Sequence, residues 1–175
     1  MRRNMKMAKQ EQFGVGDYMV YGTVGVCQVK EVAKLDFMAN DKVYYSLVPV
    51  FDKGGTIYIP VDNEKVLMRK VITKEAATAC IEHLPEVEVE DYTNRNERLQ
   101  VYREKLLSGD SEQWAEVVKG MASLSEDKKE KGRGLTINEN ENMKMAENLL
   151  FGELAIVLGM SIEEVPAYIE KKLNR

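Results

Sequence analysis

The spacing of apolar residues changes once along this chain, near Ile72, and that change constrains the fold more than any other feature. Before it, apolar residues come in short runs of period two. Val26 to Val32 alternates apolar and polar positions, the pattern of a half-buried strand. Tyr18 to Tyr21, Lys42 to Val50, Thr56 to Pro60 and Val66 to Ile72 are further strand candidates. Gly22, Gly25, Asn40-Asp41 and Asp52-Lys53-Gly54-Gly55 carry the turn chemistry between them. Pro60 ends its run, because proline has no N–H to give to a ladder. Short strands at close spacing with glycine turns predict a small β-barrel.

After Ile72 the spacing becomes helical. Thr73 is a good N-cap for a helix running through Glu75 to Leu84. Pro85 to Asp91 is acidic and reads as an extended linker. A second helix is predicted from Asn96 to Leu107, stopped by Ser108-Gly109-Asp110, with glycine suited to a helix C-terminus. Asp110 or Ser111 caps a third, which carries Trp114, Val117, Val118 and Met121 on one face. Residues 125–134 read as a charged loop or frayed helix end. Thr136 and Glu139 fit a capping box that opens a long helix, with Leu149, Leu150 and Leu154 on one side and Gly159 at its end. Ser161 opens a final helix through Leu173.

The organisation expected is α+β in two domains. A flexible basic tail covers 1–12, a β domain 13–72 and a helical domain 73–175. The helical domain divides into a linker helix over 73–84, an acidic linker over 85–91 and a bundle over 92–175.

Charge argues against the simplest nucleic-acid binder. The net charge is −4, and the excess acid lies in the second half. Residues 1–84 carry 12 basic and 10 acidic side chains, whereas residues 85–175 carry 13 and 19. An acidic surface repels phosphates, so a broad basic footprint is absent. No run of about 18 apolar residues exists to cross a membrane. The basic stretch from Met1 to Met7 has no apolar run behind it, so a tail is expected there and not a secretory signal. Cys27 and Cys80 are isolated and His83 is the single histidine. The expectation is two buried, reduced thiols in a cytoplasmic protein without metal or cofactor. His83 has no nucleophile or ligand at motif spacing, and Gly54-Gly55 lacks the Lys-Ser/Thr of a phosphate loop. An enzyme is not indicated.

Several segments, in order, resemble the CarD/CdnL family, whose N-terminal module also occurs in the transcription-repair coupling factor. In the first half they are Phe13 through Tyr21, Gly25, the Val26–Val32 strand, Tyr44-Tyr45-Ser46-Leu47 and Ile57 through Val61. In the second half they are Glu104 through Asp110, Ala115 through Lys119, Gly134-Leu135-Thr136 and Ala146 through Ala155. The resemblance implies a Tudor-like β-barrel that binds the RNA polymerase β subunit. It implies a following all-α bundle at the upstream edge of the promoter bubble, where it modulates open-complex stability. It also implies a monomer bound to polymerase, with no small-molecule substrate.

By the same resemblance the polymerase contacts fall on Lys34, Leu35, Thr56, Ile57 and Tyr58. Leu35 and Tyr58 stand where relatives carry arginine. The tryptophan that wedges into the minor groove in the family aligns with Arg95, and Glu97 and Glu141 stand at positions expected to be basic. Trp114 lies on the next helix and reads as a core residue. The cations expected at DNA are Arg95, Arg98, Lys119, Lys128, Lys129 and Lys144. An arginine can enter a narrow minor groove, though without the apolar area of an indole. The rival reading is a polymerase-bound adaptor whose acidic helical domain recruits protein and touches no DNA.

Overall fold

The computed structural model describes residues 12–174. The expected basic tail, apart from Gln12, lies outside them. Five strands come first: β1 (Tyr18–Tyr21), β2 (Gly25–Lys34), β3 (Val43–Pro49), β4 (Ile57–Pro60) and β5 (Met68–Lys70). They form one antiparallel sheet in the order β4-β3-β2-β1-β5. Five helices follow: α1 (Lys74–His83), α2 (Arg95–Leu107), α3 (Ser111–Glu130), α4 (Ile137–Leu158) and α5 (Val165–Leu173). A small β domain followed by helices is the fold class that the change of spacing predicted.

Each face of the sheet contributes buried residues, and its alternation sorts them. Met19, Cys27, Val29, Tyr45 and Leu47 close on Phe13 as one core. Val20 and Val26 point the other way and join a larger core made by the helices, including Trp114, Leu149, Leu150 and Leu154. Neighbouring residues on a strand face opposite sides, so one sheet serves both cores. Gly25, at φ 87°, lies against α4, where a side chain's Cβ would sit 3.4 Å from Leu149 Cδ2. A bulge between Val29 and Glu31 shifts the pairing of β2 with β3.

The helix starts follow the capping chemistry. Thr73 Oγ1 accepts from Ala76 N, Asn94 Oδ1 from Asn96 N and Asp110 Oδ1 from Glu112 N. Thr136 and Glu139 form the reciprocal box at the start of α4, and Gly159 ends that helix at φ 70°. Three readings change. α3 continues through the charged segment to Glu130, so residues 125–130 are helix and not loop. Lys128 and Lys129 in its last turn suit the negative end of the helix dipole, and Lys128 is tied to α4. The acidic linker opens with a 3-10 turn over Leu84–Glu86. The last helix is preceded by another over Ile162–Glu164. No single helix among the described residues is long and apolar enough to cross a membrane.

Candidate protein- and nucleic-acid-binding surfaces

Strand β4 is one open edge of the sheet. Val61 N donates to Val43 O at 3.0 Å, and the register pairs Ile59 with Tyr45 and Ile57 with Leu47. Hydrogen-bonded and non-bonded pairs alternate along an antiparallel ladder. The amides of Ile57, Ile59 and Val61 therefore face β3, and those of Thr56 and Tyr58 face the open side. Pro60 limits this edge, having no N–H, and its carbonyl accepts from Asn63 N at 3.0 Å. The Tyr58 side chain is exposed, and Ile57 is half-buried against the sheet core. Leu35 is buried, so it offers little surface to a partner. Lys34 is exposed and pairs with Asp41 at 3.3 Å.

The other edge, β5, turns toward the helices. Arg69 on β5 reaches Glu153 on α4 with both terminal guanidinium nitrogens, Nη1 to Oε1 at 2.5 Å and Nη2 to Oε2 at 2.9 Å. Arg69 Nε also donates to the Gly109 carbonyl at 2.6 Å, between α2 and α3. The guanidinium carbon sits 5.3 Å from the Trp114 ring centre. Glu153 is fully buried, and its Oε1 accepts from Ile72 N at 2.9 Å as the chain leaves the sheet. Gly109 has φ 72°, and a side chain there would collide with Leu67. One arginine thus fastens the sheet to α4, to the α2–α3 turn and to the central tryptophan.

A second buried carboxylate organises the far end of the bundle. Glu139, fully buried at the start of α4, accepts from Arg98 Nη2 on α2 at 3.0 Å and from Lys128 Nζ on α3 at 2.6 Å. It also accepts from Thr136 N at 2.8 Å. Burial works to raise its pKa, but the Lys128 ammonium and the Thr136 amide and hydroxyl outweigh burial and bring it to about 2. Arg95, the first residue of α2, is exposed, with Nη2 3.4 Å from Thr136 Oγ1. Lys119 Nζ donates to the carbonyls of Leu84, Pro85 and Val87 at 3.0, 2.8 and 2.7 Å.

A family model described as CarD-like/TRCF RID domain matches residues 13–72, and one described as CarD, C-terminal domain, matches residues 79–170. The chain belongs to the CarD family. It is an RNA polymerase-interacting transcription regulator by that membership, and members of the family are transcription factors without enzymatic activity.

Seen as a CarD-family chain, the helical domain distributes its cations unevenly. Arg95, Lys129 and Lys144 are exposed. Arg98 and Lys128 are turned inward onto Glu139, and Lys119 holds the start of the acidic linker. The structure brings Arg95, Arg98 and Lys128 together around the start of α4 and leaves Lys119 apart from them. Trp114 is fully buried, donating Nε1 to Leu106 O at 3.2 Å, so it is a core residue as its helical spacing suggested. Cys27 and Cys80 are free thiols and buried, as expected. Sequence reasoning did not single out Arg69 or Glu153. Their pairing spans 84 residues, and the only local sign was a glutamate among the apolar residues of α4.

Proposed function

We propose that this CarD-family chain binds the RNA polymerase β subunit by strand addition at β4 and thereby holds its helical domain at the upstream edge of the promoter bubble. The observation that carries this reading is the open edge at Thr56 and Tyr58, whose backbone groups are directed outward for pairing. Main-chain bonding supplies affinity, and the exposed Tyr58 ring supplies a contact that hides apolar area while keeping its hydroxyl wet. The Arg69 fastening gives the polymerase-bound sheet a fixed relation to the helices. A protein seated on polymerase at one end then presents Arg95, Lys129 and Lys144 in one orientation, and its effect on initiation is a change in open-complex lifetime.

The test is co-purification of the full chain with core polymerase, followed by open-complex lifetime on a promoter fragment. Wild type is expected to bind and to change the lifetime. Tyr58→Ala is expected to weaken binding, and Arg95→Ala to leave binding intact while reducing the effect on lifetime. Unchanged binding by Tyr58→Ala together with an unaltered lifetime in the presence of wild type would sink the reading.

A second reading, an adaptor without DNA contact, is favoured by one specific observation. Three cations expected at DNA are engaged inside the protein, while Glu97 and Glu141 are exposed. Site-specific crosslinking from position 95 within a promoter complex separates the two. A DNA adduct supports the first, and a protein adduct without DNA supports the second.

A further inference from the structure

The β2–β3 turn carries a feature that the sequence patterns did not use. Phe37, at this turn, is 65% exposed, among the most exposed large apolar side chains described. It does not stand alone. Its ring meets that of Tyr58 edge-to-face, with centres 5.1 Å apart and planes at 73°. Tyr58 is the β4 residue whose own amide and carbonyl face the open side of the sheet. The exposed aromatic pair and the open backbone edge therefore share a residue.

The turn that presents Phe37 is ordered by its own bonds. Met38 N donates to Leu35 O at 3.0 Å and Asn40 N to Met38 O at 2.8 Å. Asn40 Nδ2 donates to the Tyr44 hydroxyl at 2.9 Å, and Lys42 N to Asn40 Oδ1 at 3.0 Å. Leu35 is buried beneath it. A surface loop that needed only solubility would have no reason to hold a phenylalanine in water. A rigid aromatic residue next to a pairing edge is the arrangement of an interface anchor, because little conformational freedom remains to be lost on binding.

We propose that Phe37 and Tyr58 form an aromatic anchor that selects an aliphatic or aromatic side chain on the strand that an RNA polymerase subunit adds to β4. This rests on the β4-edge reading given above. A strand paired beyond β4 lies about 4.8 Å away, and its residue opposite Tyr58 brings its Cβ to within about 5.5 Å on the same face. That side chain meets the Tyr58 ring, and Phe37, standing edge-on to it, widens the apolar platform. On the turn Lys34 and Asp41 are paired with each other and Asp36 is exposed beside Phe37, while the two rings themselves offer carbon surface, which suits an apolar group. Phe37 is thus a specificity-determining residue for the partner strand.

The experiment measures affinity of the full chain for core polymerase at two salt concentrations. The variants are Phe37→Ala, Phe37→Leu, Tyr58→Ala, the Phe37→Ala/Tyr58→Ala double variant and Thr56→Pro, which removes an outward amide. Unfolding midpoints matched to wild type confirm that each is folded, and a photo-crosslinking residue at position 37 reads contact without depending on affinity. The anchor predicts about tenfold weaker binding for Phe37→Ala, a smaller loss for Phe37→Leu and little change of either ratio with salt. The double variant loses less than the product of the singles, since Phe37 acts against the Tyr58 ring. A crosslink from position 37 goes to a polymerase subunit. Phe37→Ala binding within about twofold of wild type, with no crosslink, overturns the anchor. If Thr56→Pro then still abolishes binding, the β4-edge reading stands without it. If Thr56→Pro also binds like wild type, both fall together.

Discussion

Arg69 and Glu153 lie 84 residues apart in sequence and meet through two parallel hydrogen bonds, one end on the last strand and the other on the longest helix. The carboxylate is completely buried and the guanidinium largely so. Its alignment matters more than its charge. A fork of two bonds, a third to Gly109 O and a cation–π contact with Trp114 leave the sheet one orientation against the helices.

Removing one partner of such a pair strands the other. Arg69→Met is expected to destabilise the full chain by about 3–5 kcal/mol, because Glu153 stays buried without its cation. Replacing both, as Arg69→Met with Glu153→Leu, is expected to recover much of that loss. Urea unfolding monitored by Trp114 fluorescence reads both, and equal destabilisation by the single and double variants contradicts this account.

Acid should weaken the protein through Glu139. Its folded pKa of about 2 lies below the ordinary carboxylate value, 4.5, so the folded state favours its ionised form. The stabilisation is complete above the unfolded value and is lost as pH falls from about 5 toward 2. Its size is on the order of 3 kcal/mol. Glu139→Gln is expected to be less stable than wild type at pH 7, with the gap closing as pH drops through that window. A gap independent of pH would contradict it.

Lys119 is expected to act on structure and not on DNA. Lys119→Met leaves the carbonyls of Leu84, Pro85 and Val87 without their shared donor, at a cost of about 1.5–3 kcal/mol. Hydrogen exchange should rise locally around residues 84–91. Protection of promoter DNA by the polymerase complex should match wild type at temperatures where the variant is folded. A selective loss of DNA protection without faster exchange would assign Lys119 to phosphate.

Both thiols should be inert while the protein is folded. Burial pushes Cys27 up to about 12, and burial, then Glu112, Glu153 and Asp110, push Cys80 up to about 11. The reactive thiolate is therefore scarce at neutral pH. A thiol reagent at pH 8 is expected to label neither until denaturant is added, with both appearing at the unfolding transition. Early labelling of one would indicate local opening around it.

Local chemistry was legible in the sequence, and distant pairing was not. Thr73, Asp110 and Thr136 are caps whose partners lie two or three residues away, so composition alone gives those helix starts close to the observed ones. Strand alternation separates Met19 from Val20, but only the folded sheet shows that the second face belongs to the helices. Residues 125–134 read as a charged loop or frayed helix end because they are densely charged, and the tie from Lys128 to Glu139, which steadies that end of α3, comes from the next helix. The family resemblance expects Arg98 and Lys128 at DNA, and their ties inside the protein are equally hidden from local pattern. Their carboxylate partner stands 41 residues from one and 11 from the other. Phe37 had no periodic neighbours, and its meaning depends on β4 lying beside the turn.

The sheet that serves two cores also has a consequence for how the chain is made. Synthesis runs from the N-terminus, so β1 and β2 leave the ribosome long before Leu149, Leu150 and Leu154, which cover Val20 and Val26. Until then one face of the nascent sheet stays wet, and Arg69 has no carboxylate to meet. The β half therefore completes its folding only after α4 has been translated, and a ribosome stalled before residue 158 holds a sheet with an uncovered wall.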